Sequence, residues 1–293
     1  MLRLRKIKYS MGEKKLRIRK PFEDLTITDN YMFQAVMKNP KHVKPLLEMV
    51  IGKKIRRIEV ITPEKTVETG YDSRGIRMDV YVEDDDNTVY DVEMQVSKKW
   101  YLGKRFRYYQ SAIDVDIVNK GEDFGKLKNS FIIFITTYGR GWYKYPFETI
   151  CSWDSSIKME DSSVRIVLNT KGTKDKEGHE VSDEIKAMLS YMDGKTPESD
   201  YSKMLDNAVK QVKQSEERRL EYMNINVFAA DERILERYCV YIELIRSGKI
   251  DDEVFLSVTK LPGNEIELMK KVIAEHPEWD DEDIAEEVLS RLD

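Results

Sequence analysis

Residues Asp79–Gln95 read DVYVEDDDNTVYDVEMQ. Two strand-like runs flank a short acidic turn. Because strand side chains alternate between faces, Glu93 and Gln95 share one face of the second run. With Asp85, Asp86 and Asn87 as a three-residue loop, Asp84 faces Thr88 and paired positions sum to 172. Asp79 then lies directly across from Glu93. Cross-strand partners on one face have Cβ atoms roughly 4.5–5.5 Å apart, so the two carboxylates repel unless a cation sits between them. A hard cation with oxygen ligands, such as magnesium, suits that pair. A two-residue loop would shift the register by one and send the acids to opposite faces.

Outward from the hairpin, Met78, Val80, Val82, Tyr90, Val92 and Met94 form an apolar face. Upstream, an N-cap at Thr28 or Asp29 opens a helix through Met32, Phe33, Val36 and Met37, which Asn39-Pro40 breaks. A second helix runs from about Lys41 to Ile51, with Gly52 closing it. Ile55 to Thr62 reads as a strand, and Glu64 to Gly75 as polar loop or loop with a short strand. Downstream, residues 98–119 form a long helix with Leu102, Phe106, Tyr109, Ile113 and Ile117 on one stripe. SFIIFITTY, Ser130–Tyr138, is a continuous apolar run, as expected of a strand buried on both faces. The order helix, three strands, helix, strand defines an α/β fold: a mixed sheet with a crossover helix.

Residues 139–182 hold short strand-like pieces and a turn-rich insert around Thr170 to Gly178. From Asp183 the pattern is helical: 183–193, a break at Gly194 to Pro197, an amphipathic stretch 198–247, then short terminal helices bounded by Pro262-Gly263 and His276-Pro277. The expected organisation is a basic arm 1–20, an α/β domain 21–182 and a helical region 183–293.

The chain has 293 residues, 41% hydrophobic and 35% charged, with a formal net charge of −5. Residues 1–20 carry +8 and residues 251–293 carry −10, leaving the middle near −3. The basic arm reads either as a phosphate-neutralising segment or as a disordered tail, and Met11 is an alternative start to Met1. No stretch approaches the roughly 18 apolar residues of a membrane span, and no apolar segment of a secretory signal follows the basic start. Cys151 and Cys239 lie far apart with no CxxC, and His42, His179 and His276 give no HExxH, which excludes zinc ribbons, redox dithiols and zincin-type sites. A cytoplasmic protein is expected.

A strand–turn–strand with Asp on the first strand and Glu-x-polar on the second is the arrangement of PD-(D/E)xK nucleases. The chain resembles the recombination-promoting nuclease (Rpn-type) and transposase family of that superfamily. The similarity rests on TDNYMFQAVMKN, GIRMDVYVEDDDNTVYDVEMQ, KRFRYYQSAID and FIIFITTY, in family order over about residues 25–147, and weakens through about residue 240. The resemblance implies a restriction-endonuclease-like fold and a divalent-metal-dependent DNA endonuclease linked to recombination, transposition or defence. It puts ligation of Mg²⁺ (or Mn²⁺ or Ca²⁺) on Asp79 and Glu93. Gln95 occupies the slot where the wider superfamily has Lys and where Gln is common in the Rpn-like group. Gln can orient water or a phosphate oxygen, but it supplies neither charge nor basicity.

Arg105, Tyr109 and Gln110, on the helix after the motif strand, are the substrate-side candidates: Arg105 and Gln110 would line the cleft and touch phosphate. The alternative packs Tyr109 in the core and leaves the arginines in solvent. Asp91 shares the face of Glu93 but lies nearer the turn, where solvent exposure is expected. Glu48 is a candidate extra carboxylate. Asp84, Asp85 and Asp86 lack the glycine and the twelfth-position acid of a calcium loop. Trp142, Tyr143 and Tyr145 could stack on bases or pack against the sheet. Lys210, Lys213, Arg218 and Arg219 form a mild basic run in the helical region, read as a solvated helix face or a DNA contact; the region itself would carry a homodimer contact, needed if the protein makes double-strand breaks, or help grip DNA. The rival readings are a catalytically silent module that binds nucleic acid or protein, and a plain interaction protein.

Overall fold

The computed structural model describes residues 20–67, 75–98, 101–118, 120–139, 141–249 and 251–292; the side chains of 226–233 lie outside that description. The basic arm, the last part of the 64–75 loop and the Met11 start therefore lie outside the described residues.

The chain divides into two compact units, Pro21–Arg218 and the remainder, dominated by Arg219–Asp293. The first opens with α1 (Asn30–Met37) and α2 (Pro40–Ile51). Pro40, expected only to break the helix, also starts the next one: Asn39 caps α2, accepting from the Lys41 N–H at 3.0 Å, and proline fits the first helical turn. Gly52 ends α2 with φ 72°. Then come β1 (Ile58–Val67), β2 (Ile76–Asp84), β3 (Val89–Gln95), α3 (Leu102–Ile117) and β4 (Ser130–Thr136). This is the expected order, with β1 running on through residues read as loop.

The sheet has six strands in the order β1-β2-β3-β4-β6-β5, where β5 is Lys144–Phe147 and β6 is Ser163–Asn169. β1, β2 and β3 are antiparallel neighbours, β3, β4 and β6 run parallel, and β5 caps the edge antiparallel to β6. The mixed sheet with flanking helices is the expected fold class. β6 is the addition: a strand-like piece of the 139–182 region lies inside the sheet.

The hairpin register is the expected one. Val80 faces Val92, Tyr81 faces Asp91, Val82 faces Tyr90 and Glu83 faces Val89. The turn is fixed by Asp84, whose carboxylate accepts from the N–H groups of Asp86 and Thr88 at 2.9 Å each and from the Tyr90 hydroxyl at 2.7 Å. Asn87 takes the left-handed conformation, φ 57°, which Asn tolerates better than most residues.

All seven residues of β3 are buried. One face of the sheet packs Tyr81, Val89, Ile132 and Phe134 against Phe106, Tyr109, Ala112 and Ile113 of α3. Phe106 meets Phe134 edge-on at 4.7 Å between ring centroids. Burying each such ring stabilises by roughly 1.5–3 kcal/mol, which holds α3 against the strand that carries the motif.

Two further helices belong to this unit, α4 (Asp183–Met192) and α5 (Asp200–Gln214), so it extends to Arg218, beyond the boundary at 182 expected from the sequence. Their apolar stripes explain this. Ile185, Met188, Leu189, Met192, Leu205 and Val209 are all buried, and Tyr201 of α5 donates to the His42 carbonyl of α2 at 2.8 Å.

The second unit contains most of α6 (Glu216–Ser247) with α7 (Asp252–Thr259), α8 (Gly263–Glu275) and α9 (Asp281–Leu292). Its core is Tyr238, Ile242, Met269, Val272, Ile284, Ala285 and Val288. Among the described residues no helix is long and apolar enough to cross a membrane.

Candidate active site

The β2–β3 ladder stops one pair short of the motif acids, at Val80 and Val92. Beyond it the two acids bridge the strands with their side chains. Glu93 Oε1 accepts from the Asp79 N–H at 2.8 Å, and Asp79 Oδ2 accepts from the Met94 N–H at 3.1 Å. Two N–H groups deprived of ladder partners are thus satisfied by the carboxylate across from each. The reciprocal bonds draw Asp79 and Glu93 together and fix their orientation.

Both acids are almost wholly buried, 6% and 4% exposed. Asp79 Oδ1 accepts from Gln34 Nε2 of α1 at 3.2 Å. Glu93 Oε2 accepts from Arg105 Nη2 and from the Tyr109 hydroxyl, each at 3.2 Å. Arg105 Nη2 also donates to Tyr109 Oη at 2.9 Å, Arg105 Nη1 donates to Gln95 Oε1, and the guanidinium lies 4.8 Å from the Phe134 ring centre. Gln95 Nε2 donates to the Ser97 carbonyl at 2.6 Å and to Ser97 Oγ at 3.3 Å. Arg105 and Tyr109 reach the site because they are one turn apart on α3.

Burial, then the charge of Asp79, pushes the Glu93 carboxyl up to about 8. Burial also raises Asp79, against the lowering effect of the Met94 and Gln34 bonds. One guanidinium does not compensate two buried carboxylates, and such a pair favours either protons or a cation.

Asp91 departs from expectation. It is not solvent-exposed: its exposure is 0%, and neither carboxylate oxygen has a hydrogen-bond partner. α3 packs over the face on which it was expected to meet water. Burial, followed by the charges of Glu93 and Asp79, drives its pKa well above the ordinary carboxylate range.

The pair opens into a cleft of about 1120 Å³. Its walls include Asp79, Glu93, Gln95 and Ser97 from β3 and its surroundings, Arg77, and Tyr101, Lys104, Arg105, Arg107, Tyr108 and Tyr109 from α3. Tyr109 is both core and cleft, so the two readings of it hold together. Gln110, expected to line the cleft, does not: it is buried and donates to Asp114 Oδ1 at 3.0 Å and Ser130 Oγ at 2.9 Å, tying α3 to the start of β4. Glu48 is also elsewhere, accepting from the Ile55 N–H at 2.9 Å next to Lys54. Trp142 and Tyr145 pack on each other at 5.3 Å outside the cleft, and Lys210 is paired with Asp206 at 2.7 Å. Sequence reasoning misses Gln34, whose signal is a polar residue within an apolar helix stripe; in the fold it is buried.

These side chains occupy a segment with known kin. Residues 30–149 match the model of the PD-(D/E)XK nuclease family transposases. The stretch from α1 to the end of β5 is therefore similar to a PD-(D/E)XK nuclease family transposase domain, while β6, α4 and α5 complete the unit beyond the matched residues. The chain matches no curated protein and no solved structure.

The donor chemistry of this PD-(D/E)XK site fits a divalent cation in a specific way. Among the described residues no group of three His, Cys, Asp or Glu side chains is placed to hold an ion. Two hard carboxylates remain, which is a usual protein contribution to a magnesium site, with water and substrate phosphate completing the coordination.

Proposed function

We propose that the protein is a divalent-metal-dependent DNA endonuclease that hydrolyses phosphodiester bonds. The observation that carries this reading is the reciprocal strap: Asp79 and Glu93, buried side by side at the head of an open cleft, each held by the other strand's backbone. Asp79 and Glu93 would hold the metal. When bound, a divalent cation lowers the pKa of water and offsets the negative charge that develops on a phosphodiester.

The chain's own residues do the rest. Gln34 and the Met94 N–H fix the rotamer of Asp79, and Tyr109 with Arg105 fixes that of Glu93. Arg105 brings a permanent positive charge to the wall beside the scissile phosphate, where it stabilises the additional charge of the transition state. Gln95, held by Ser97 and Arg105, presents an oriented amide to the attacking water. Hydrolysis joins the water oxygen to phosphorus and breaks the bond to the leaving deoxyribose oxygen, which takes up a proton from solvent. Gln95 and Arg105 cannot take the water's proton at neutral pH, so it leaves through the open cleft to solvent.

Supercoiled plasmid tests this directly. With Mg²⁺ or Mn²⁺ the wild type should nick it, and Asp79→Ala and Glu93→Ala should spare it. A wild type that never nicks under either metal would end the enzymatic reading. The second reading, a silent nucleic-acid-binding relative, draws on Gln95 itself: an uncharged residue stands in the Lys slot, with its amide already engaged by Ser97 and Arg105. DNA binding without cutting would favour it.

A further inference from the structure

The first turns of α3 show an arrangement that metal chemistry does not require. Tyr101, Lys104, Arg105 and Tyr108 recur at the spacing of one helical face, and all four line the cleft. Tyr101 is 53% exposed and Tyr108 40% exposed, and both line the cleft that holds the two buried acids. From Leu102 to Ile113 the helix carries three cations, Lys104, Arg105 and Arg107, and no acid. Tyr101 and Tyr108, seven residues apart, are separated by about 10 Å along the helix axis, room for about two stacked bases at 3.4 Å each.

Charge decides between a paired and an unpaired ligand. Nonspecific duplex binding draws nearly all its affinity from phosphate neutralisation, and this chain carries a net −5. Of the cleft cations, Arg105 is committed to Glu93, Gln95 and Tyr109, and Arg77 is shared with Glu64 at 3.7 Å. Among the described cleft residues this leaves Lys104 and Arg107 to meet phosphates, a small charge for gripping a duplex. Base–aromatic stacking adds affinity without charge, but only where base faces are uncovered, and in a duplex neighbouring base pairs cover them.

We infer that the Tyr101–Lys104–Tyr108 face of α3 is a stacking wall for an unpaired DNA strand, so that the substrate class of this cleft is single-stranded or locally melted DNA. The inference rests on the nuclease reading only in taking the ligand to be nucleic acid. The wall would hold the strand by its bases while Lys104 and Arg107 meet its phosphates, leading the backbone toward Asp79 and Glu93.

The test is binding by the full-length chain in chelator, so that nothing is cut. Fluorescence anisotropy compares a labelled single-stranded oligodeoxynucleotide with the blunt duplex of the same sequence at fixed ionic strength. The strand should bind at least about tenfold more tightly than the duplex. Tyr101→Ala and Tyr108→Ala should each weaken strand binding by between about 5- and 150-fold while leaving duplex binding nearly unchanged. Tyr101→Trp and Tyr108→Trp should retain strand affinity, which loss of fold would not allow. Lys104→Ala should weaken both ligands and flatten the salt dependence by about 0.7–0.9 in slope. A duplex preference, or alanine variants that bind the strand as wild type does, would overturn the inference. Plasmid nicking separates the two failures: nicking without strand preference sinks the stacking wall alone, and strand preference without any cleavage sinks the nuclease reading alone.

Discussion

At the scale of single residues, this site is defined by carboxylates that the fold buries without enough positive charge. Glu93, pushed up to about 8, holds its proton more tightly when folded than when unfolded. Its contribution to stability is therefore complete below its unfolded value near 4.5 and is lost as pH rises through about 8. Asp79 and Asp91 are shifted in the same direction. In chelator, Tm should fall between pH 5 and 8, by about 2–4 °C for each kcal/mol lost; Glu93→Gln should flatten that slope, and Mn²⁺ should raise Tm more at pH 8 than at pH 6. Thermal unfolding across pH checks this, and a Tm that climbs with pH in chelator would contradict it. Asp91 gives a separate expectation. Its carboxyl has no partner, and leaving a polar group buried without one costs roughly 1–3 kcal/mol. Asp91→Val, which removes that group with a smaller added volume than leucine and suits a strand, should stabilise the metal-free protein by up to about that amount in denaturant titration. If both Asp91→Val and the smaller Asp91→Ala destabilise it, so that overpacking is not the cause, the unpartnered carboxyl is not the burden argued here.

At the scale of elements, the hairpin does the positioning and its turn sets the register. Asp84 closes that turn with three hydrogen bonds, two to backbone N–H groups and one to Tyr90. Asp84→Ala should cost about 1–3 kcal/mol, the range for stranding buried donors, measured as a shift in the denaturant midpoint with m unchanged. A variant as stable as wild type would mean that strand pairing alone holds the turn. This element was also the most legible in the sequence. Alternation and an Asn suited to φ > 0 specify the loop length, and the loop length specifies which acids face each other. Legibility failed where a residue's fate depends on distant chain. Asp91 looks exposed until β4 is paired beside β3 and α3 is laid over that face. Gln34 looks like an interruption in an apolar helix until α1 is set beside Asp79. Gln110 shares the polar character of the cleft residues but lies one position past Tyr109, which turns it toward Ser130 instead. β6 was obscured because SVRIVLN is short and mixed in polarity, and its pairing with β4 is parallel and non-local. Local pattern thus carried the hairpin, the helices and the acid pair, while packing decided the surroundings of the site.

At the scale of the whole molecule, the open matter is how many copies act together. One PD-(D/E)XK site of the kind proposed cuts one strand, so a double-strand break requires two sites in concert. The α/β unit, Pro21–Arg218, contains every cleft residue and has its own core. Arg219–Asp293 has a separate core and, among the described residues, lines no part of the cleft; pairing is the role proposed for it. A protein ending after Arg218 should therefore still nick supercoiled plasmid in Mg²⁺ or Mn²⁺ while converting the nicked circle to linear DNA at least about tenfold more slowly than the full chain. The check is a time course of supercoiled, nicked and linear forms run beside light scattering, in which the shortened protein should be monomeric and the full chain dimeric. If the shortened protein linearises plasmid as fast as the full chain, the helical region is not the pairing element. If the full chain is monomeric and only nicks, the cleft works alone on one strand, the behaviour expected of a site that grips unpaired DNA by its bases.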